Sequence, residues 1–166
     1  MAEALLISRD DVVKFTAMNG NVDTDNFIQY VKIAQDIHIQ NYLGTKLIDK
    51  IKQDILDSSL SGDYLNLVTK YIKPMLIHWA MVEYLPFAAY TIAMKGVYKH
   101  NSENSTNVEK NEIDFLIEKE RQIAQHYTER FITYMSFNTD KFPEYNSNSN
   151  GDMYPDSNNN YTGWYL

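Results

Sequence analysis

The chain has 166 residues, 44% hydrophobic and 13% aromatic, with 15 Lys plus Arg against 22 Asp plus Glu for a net charge of -7. That length and composition predict one folded domain with an appendage, and exclude a disordered, collagen-like or low-complexity chain. The acidic balance argues against a surface that grips phosphate by bulk electrostatics, and the absence of cysteine excludes disulfides, thiolate metal sites and cysteine nucleophiles.

Cysteine usage leans toward an intracellular compartment. The start, MAEALLISRDD, has no basic stretch before its short apolar run, so no signal peptide is expected, and no apolar run reaches the ~18 residues of a membrane span. The Asn-x-Ser/Thr triplets at Asn104 and Asn160 are read as chance.

Ser8, with Asp11 three residues on and Val12, Val13 and Phe15 behind it, predicts a capped short helix ending near Ala17. Asn19 to Asn21 make a turn, and Asp23, Thr24 and Asp25 offer caps to a second helix. Its apolar stripe is Phe27, Val31, Ala34 and His38, with Tyr30 and Ile37 widening it, and Gly44 closes it. Thr45 is expected to cap a third helix whose inner face is Leu47, Ile48, Ile51 and Ile55, broken by Asp57 to Gly62. From Asp63, the series Leu65, Val68, Ile72, Met75, Trp79 and Val82 predicts one helix kinked at Pro74, or two sharing a face. Pro86 is expected to stop it by moving Leu85 off helical angles.

Tyr90 to Ile92 and Val97 to Tyr98, on either side of Lys95 and Gly96, suggest a short β-hairpin, followed by a polar loop from His100 to Asn107. A last helix begins near Val108 and carries Ile113, Leu116, Ile123, Tyr127, Phe131 and Tyr134, ending near Phe137. The expected fold is mainly α: a small bundle of about four to five helices with a short hairpin. The division is a helical domain over 1–137, with hairpin and loop about 88–107, and an extended arm over 138–166. The arm is acidic and rich in asparagine, yet Phe142, Tyr145, Tyr154, Tyr161, Trp164 and Tyr165 are too many large rings for a segment meant to stay in water. It reads either as an arm that docks on a partner or as one that folds back on its own domain.

Signals for chemistry are weak. His38, His78, His100 and His126 show no metal-ligand spacing, and His38 and His78 read as satisfied core or interface histidines. The alternations Asn19 to Asp25 and Asn146 to Gly151 imitate calcium loops but lack the twelfth-position glutamate. No glycine-rich phosphate cradle or nucleophile elbow occurs, and acidic groups such as Glu109, Glu112, Asp114 and Glu118 belong to a helix start and its solvated face. No catalytic, metal or cofactor residue is expected, and the reading is of a non-enzyme.

The order of elements is more informative. The run LISRDDVVKF, an acidic turn, FIQYVKIAQDIHIQNYLG and IKPMLIHWAMVEYLPF resemble, over about residues 5–86, the head–tail connector (head-completion or adaptor) proteins of tailed bacteriophages. With KGVYKHNSENS at Lys95 to Ser105, FPEYN at Phe142 to Asn146, GDMYP and a terminal GWYL, the chain is similar to connectors of crAss-like phages over nearly its whole length.

The resemblance implies a structural virion protein of the neck, assembled in the host cytoplasm as a ring of twelve copies that joins the portal to the tail or to a second adaptor ring. It implies that DNA passes through without specific binding, and that no membrane or cofactor is involved. The anchors it points to are Tyr161, Trp164, Tyr165 and Leu166 at the terminus, Phe142 and Tyr145 before them with Tyr154 between, and Tyr90, Ile92, Val97 and Tyr98 in the hairpin. Such rings favour aromatics, which bury much area at low entropy cost. The alternative is a helical protein–protein interaction or regulatory module outside viruses.

Overall fold

Ser8 begins the first helix. Its hydroxyl accepts from the Asp11 N–H and the Asp11 carboxylate takes the Ser8 N–H, a reciprocal capping box that starts α1 (Arg9–Phe15). In the computed structural model, the structure describes residues 4–18, 24–88, 90–93, 96–99, 110–147 and 152–157. Helix α1 ends at Phe15, two residues before the expected Ala17, because the Thr16 hydroxyl takes the Val12 carbonyl and turns the chain extended.

The second helical stretch is continuous but not uniform. Helix α2 (Thr24–Ala34) passes through a π turn at Gln35–Ile39 into the short α3 (Gln40–Leu43), with the Gln40 N–H reaching back to the Gln35 carbonyl. Gly44 closes it at φ 75°, a left-handed value that disfavours any side chain. Helix α4 (Thr45–Leu56) follows at once, and Gly44, not Thr45, is its cap. The Thr45 hydroxyl is instead held by Gln40 and by the distant Met153 N–H.

From Gly62 to Tyr84 the chain stays helical, as α5 (Gly62–Leu67), a π turn at Val68–Ile72 and α6 (Lys73–Tyr84). The π turn sits just before Pro74, where the Lys73 N–H reaches back to the Val68 carbonyl. It places Ile72 five residues after Leu67, so Leu67 takes the inward place and Leu65, expected inside, turns outward. Leu85 keeps helical angles despite Pro86, contrary to expectation, because the chain tightens there into a 3₁₀ turn over Leu85–Phe87.

Helix α6 is buried on nearly every side, with Met75, Leu76, Ile77, Trp79, Ala80, Met81 and Val82 all in the core. It is therefore the central helix, with α2 and the 29-residue α7 (Lys110–Asn138) packed along it. The inner face of α7 is Ala124, Thr128, Phe131 and Met135. Of the expected stripe only Phe131 is fully buried, while Leu116 and Ile123 face out. The small Ala124 and Thr128 let α7 approach α6, and there the Trp79 indole donates to the Thr128 hydroxyl, which donates to the Ala124 carbonyl.

Strands β1 (Tyr90–Ala93) and β2 (Gly96–Lys99) pair antiparallel, with Ile92 opposite Val97 and Thr91 opposite Tyr98. The polar loop from His100 to Asn107 lies outside the described residues, as do most of the two calcium-like alternations. After α7, a 3₁₀ turn at Thr139–Lys141 leads into the short helix α8 (Pro143–Asn146). No helix among the described residues is long and apolar enough to cross a membrane.

Candidate interaction surface

The expected arm begins inside the domain. Phe142 is fully buried, its ring edge-on to Tyr64 at 5.2 Å and tilted against Tyr134 at 6.3 Å. Tyr145 is buried against Phe131, and burial pushes its phenol above the ordinary value. Between them Glu144 accepts a 2.6 Å bond from the Tyr64 hydroxyl. Burial, with that carboxylate beside it, drives the Tyr64 phenol upward. These two rings fold back on their own domain, so the body of the protein extends past residue 137.

A second segment, Asp152 to Ser157, runs across the corner where α3 meets α4. The Thr45 N–H donates to the Met153 carbonyl at 3.1 Å, the Met153 N–H donates to the Thr45 hydroxyl at 3.0 Å, and the Asp156 N–H donates to the Asn41 carbonyl at 2.8 Å. Pro155 is buried over Gly44, where an added Cβ would lie 2.9 Å from its ring carbons. Tyr154 faces outward and is 56% exposed. The side chains of Tyr90, Ile92, Val97 and Tyr98, and residues Tyr161, Trp164, Tyr165 and Leu166, lie outside the described residues.

Two of the histidines, His38 and His78, brace helix seams. His38 stacks on Trp79 at 3.9 Å and bonds Glu83 at 2.8 Å, while His78 stacks on Tyr127 at 5.4 Å and bonds Glu120 at 2.7 Å. Each is a satisfied polar group between helices. Among the described residues, no group of three His, Asp or Glu side chains is placed to hold a metal.

Among the described residues, exposed apolar side chains group on two of the long helical stretches. On α7, Phe115, Leu116 and Ile123 are exposed, with the Lys119 ammonium 6.0 Å from the Phe115 ring centre. On the helix leading from α2 into its π turn, Ile33 and Ile37 are exposed one turn apart, Ile37 by 58%, while Ile28 is exposed on the opposite flank. The two patches sit on different helices that share α6 as a neighbour. The sequence reading used Leu116 and Ile123 as part of the apolar series that marks the last helix and did not single out an exposed patch there.

A family described as of unknown function (DUF6712) matches residues 39–155, and the chain belongs to it. No curated protein and no solved structure matches the chain.

Proposed function

We propose that this member of the DUF6712 family is a structural subunit of a ring, the head–tail connector that joins the portal of a tailed phage to its tail. The observation that carries the reading is the pair of separate apolar patches. A two-fold dimer uses one self-complementary patch on both copies, whereas a ring closes head to tail and needs two different ones. The Ile33 and Ile37 side of α2 and its π turn and the Phe115, Leu116 and Ile123 side of α7 supply two, on separate helices.

The remaining features fit that use. The short hairpin of the expected fold, with β1, β2 and the loop to Asn107, and the rings of Tyr161, Trp164 and Tyr165 are the elements that reach toward the portal, the adjacent copy or the next ring. An acidic chain suits a conduit through which phosphates slide without being held. Twelve copies, the portal as partner and a place in the virion neck belong to the same proposal and rest on the resemblance in sequence pattern.

The test is the native mass of the full-length chain, alone and mixed with the portal protein of the same phage. A ring-sized species, or a complex formed only with portal, supports the reading. A monomer that ignores the portal overturns it in favour of a helical binding module.

A further inference from the structure

The corner between α3 and α4 has the construction of a peptide-binding seat. It recognises an extended segment through main-chain groups: the Thr45 N–H and the Asn41 carbonyl, with the Thr45 hydroxyl completing the pattern. Specificity comes from Gly44, whose missing side chain leaves the space that Pro155 fills. Main-chain bonds for affinity and one shaped pocket for a side chain are the general means by which proteins capture extended peptides. Its ligand here is the segment Met153 to Asp156.

We propose that in the assembled ring this seat is filled by the Met153–Asp156 segment of the neighbouring copy. The inference rests on the ring reading above. Exchange of an identical segment between copies remakes the same bonds, so the balance between own and neighbouring seat is set by small terms. Residues 147–151 are Ser-Asn-Ser-Asn-Gly, without a large apolar side chain. From Asn146 to Met153 the chain spans up to about 24 Å when extended. A neighbour whose corner lies within this radius of Asn146 competes on equal terms. It wins once the rings at Tyr161, Trp164 and Tyr165 start beside its surface, because tethering raises their effective concentration there. The outward face of Tyr154 is then carried to the subunit boundary.

The native chain has no cysteine, so two introduced thiols report without background. One full-length chain carries Asn41→Cys, which keeps the carbonyl that accepts from Asp156, and a second, differently tagged, carries Ser157→Cys. A chain with both substitutions, dilute and monomeric, selects the bis-maleimide spacer that closes it within itself. The two single variants are then mixed, assembled with or without portal as the ring requires, and treated with that spacer. The expected result is a cross-link between the two tags in the ring fraction, lost when Gly44→Ala or the milder Thr45→Val is added to the Asn41→Cys chain alone. A ring without the cross-link, or with a cross-link indifferent to both added substitutions, overturns this inference and leaves the ring reading standing. A monomer in the presence of portal overturns both.

Discussion

Pro155 lies over Gly44 so closely that a methyl group on the glycine would sit 2.9 Å from the proline Cδ and Cγ and 3.0 Å from the Met153 carbonyl oxygen. Residues far apart in the chain thereby hold the α3–α4 corner, and Gly44 is also at φ 75° and ψ 161°. Gly44→Ala therefore incurs both backbone strain and a clash, and is expected to destabilise the monomer by about 3 kcal/mol in urea denaturation. Pro155→Gly in the same background should recover the clash portion alone, so the double variant loses less than the sum. Simple additivity would show that Pro155 does not constrain the glycine.

Gln35 is fully buried, with its side-chain oxygen accepting from the Leu6 N–H at 3.0 Å and its amide donating to the Ala4 carbonyl at 3.2 Å. The N-terminal segment is thus pinned to the π turn by one side chain. Gln35→Leu leaves two main-chain groups without a partner, at an expected cost of about 2–3 kcal/mol. Amide exchange at Leu6 should accelerate in parallel. Unchanged protection at Leu6 would mean that the segment is held by Leu6 and Ile7 packing alone.

Truncation separates the two parts of the expected arm. A chain ending at residue 137 loses Phe142 and Tyr145 from the core, and a loss of about 3–5 kcal/mol is expected from the Phe142 ring alone. A chain ending at Ser157 keeps the buried residues described above and the Gly44 contact, so its thermal midpoint should match that of the full chain when both are held dilute and monomeric. On the proposed ring reading, its native mass under assembly conditions should fall to that of the monomer. If the chain ending at 137 melts like the full chain, the burial of Phe142 is not stabilising.

Local signals in the sequence were readable, and distant ones were not. The Ser8 cap and the Gly44 stop depend on residues within a turn of each other, and both stand where the residue types place them. The π turn ahead of Pro74 left no such mark, so the strict periodicity put Leu65 inside where Leu67 belongs. Gln35 and Thr128 are buried but polar, and Ala124 is small, so a search for large apolar residues passes over the positions where elements come closest. For the candidate surface, aromatic content singled out Phe142 and Tyr145 as able to bury area. Composition could not say whether that area lies on a neighbour or on Tyr64 and Phe131.

A head-to-tail ring predicts complementary assembly defects. Phe115→Glu spoils the α7 patch and Ile37→Glu the α2 patch, and both positions are more than half exposed, so neither substitution should lower monomer stability by more than about 0.5 kcal/mol. Each variant alone lacks one half of every contact and should remain monomeric by native mass. Mixed, they retain one intact pair of faces and should stop at a dimer. Rings formed by either variant alone would remove the patches from the assembly contact.

The Asp11 carboxyl couples the first helix to α6 and to pH. Burial pushes its pKa up, but the Ser8 N–H, the Lys73 ammonium at 2.9 Å and the Ser8 hydroxyl together outweigh burial and leave it below the ordinary 3.8. The folded state then binds this proton less readily than the unfolded chain does. Its stabilising contribution is therefore complete above the unfolded value and is lost as pH falls through the lowered folded one. Asp11→Asn should be less stable than the parent near neutral pH, with the two converging below pH 3.8. Lys73→Met removes one of the opposing partners and raises the folded pKa, so the acid loss should be smaller and be complete at higher pH than in the parent. Ser8→Ala forfeits the cap as well, at an expected cost of about 1 kcal/mol. A gap between parent and Asp11→Asn that stays constant down to the acid transition would show that the carboxylate contributes by packing and not by charge.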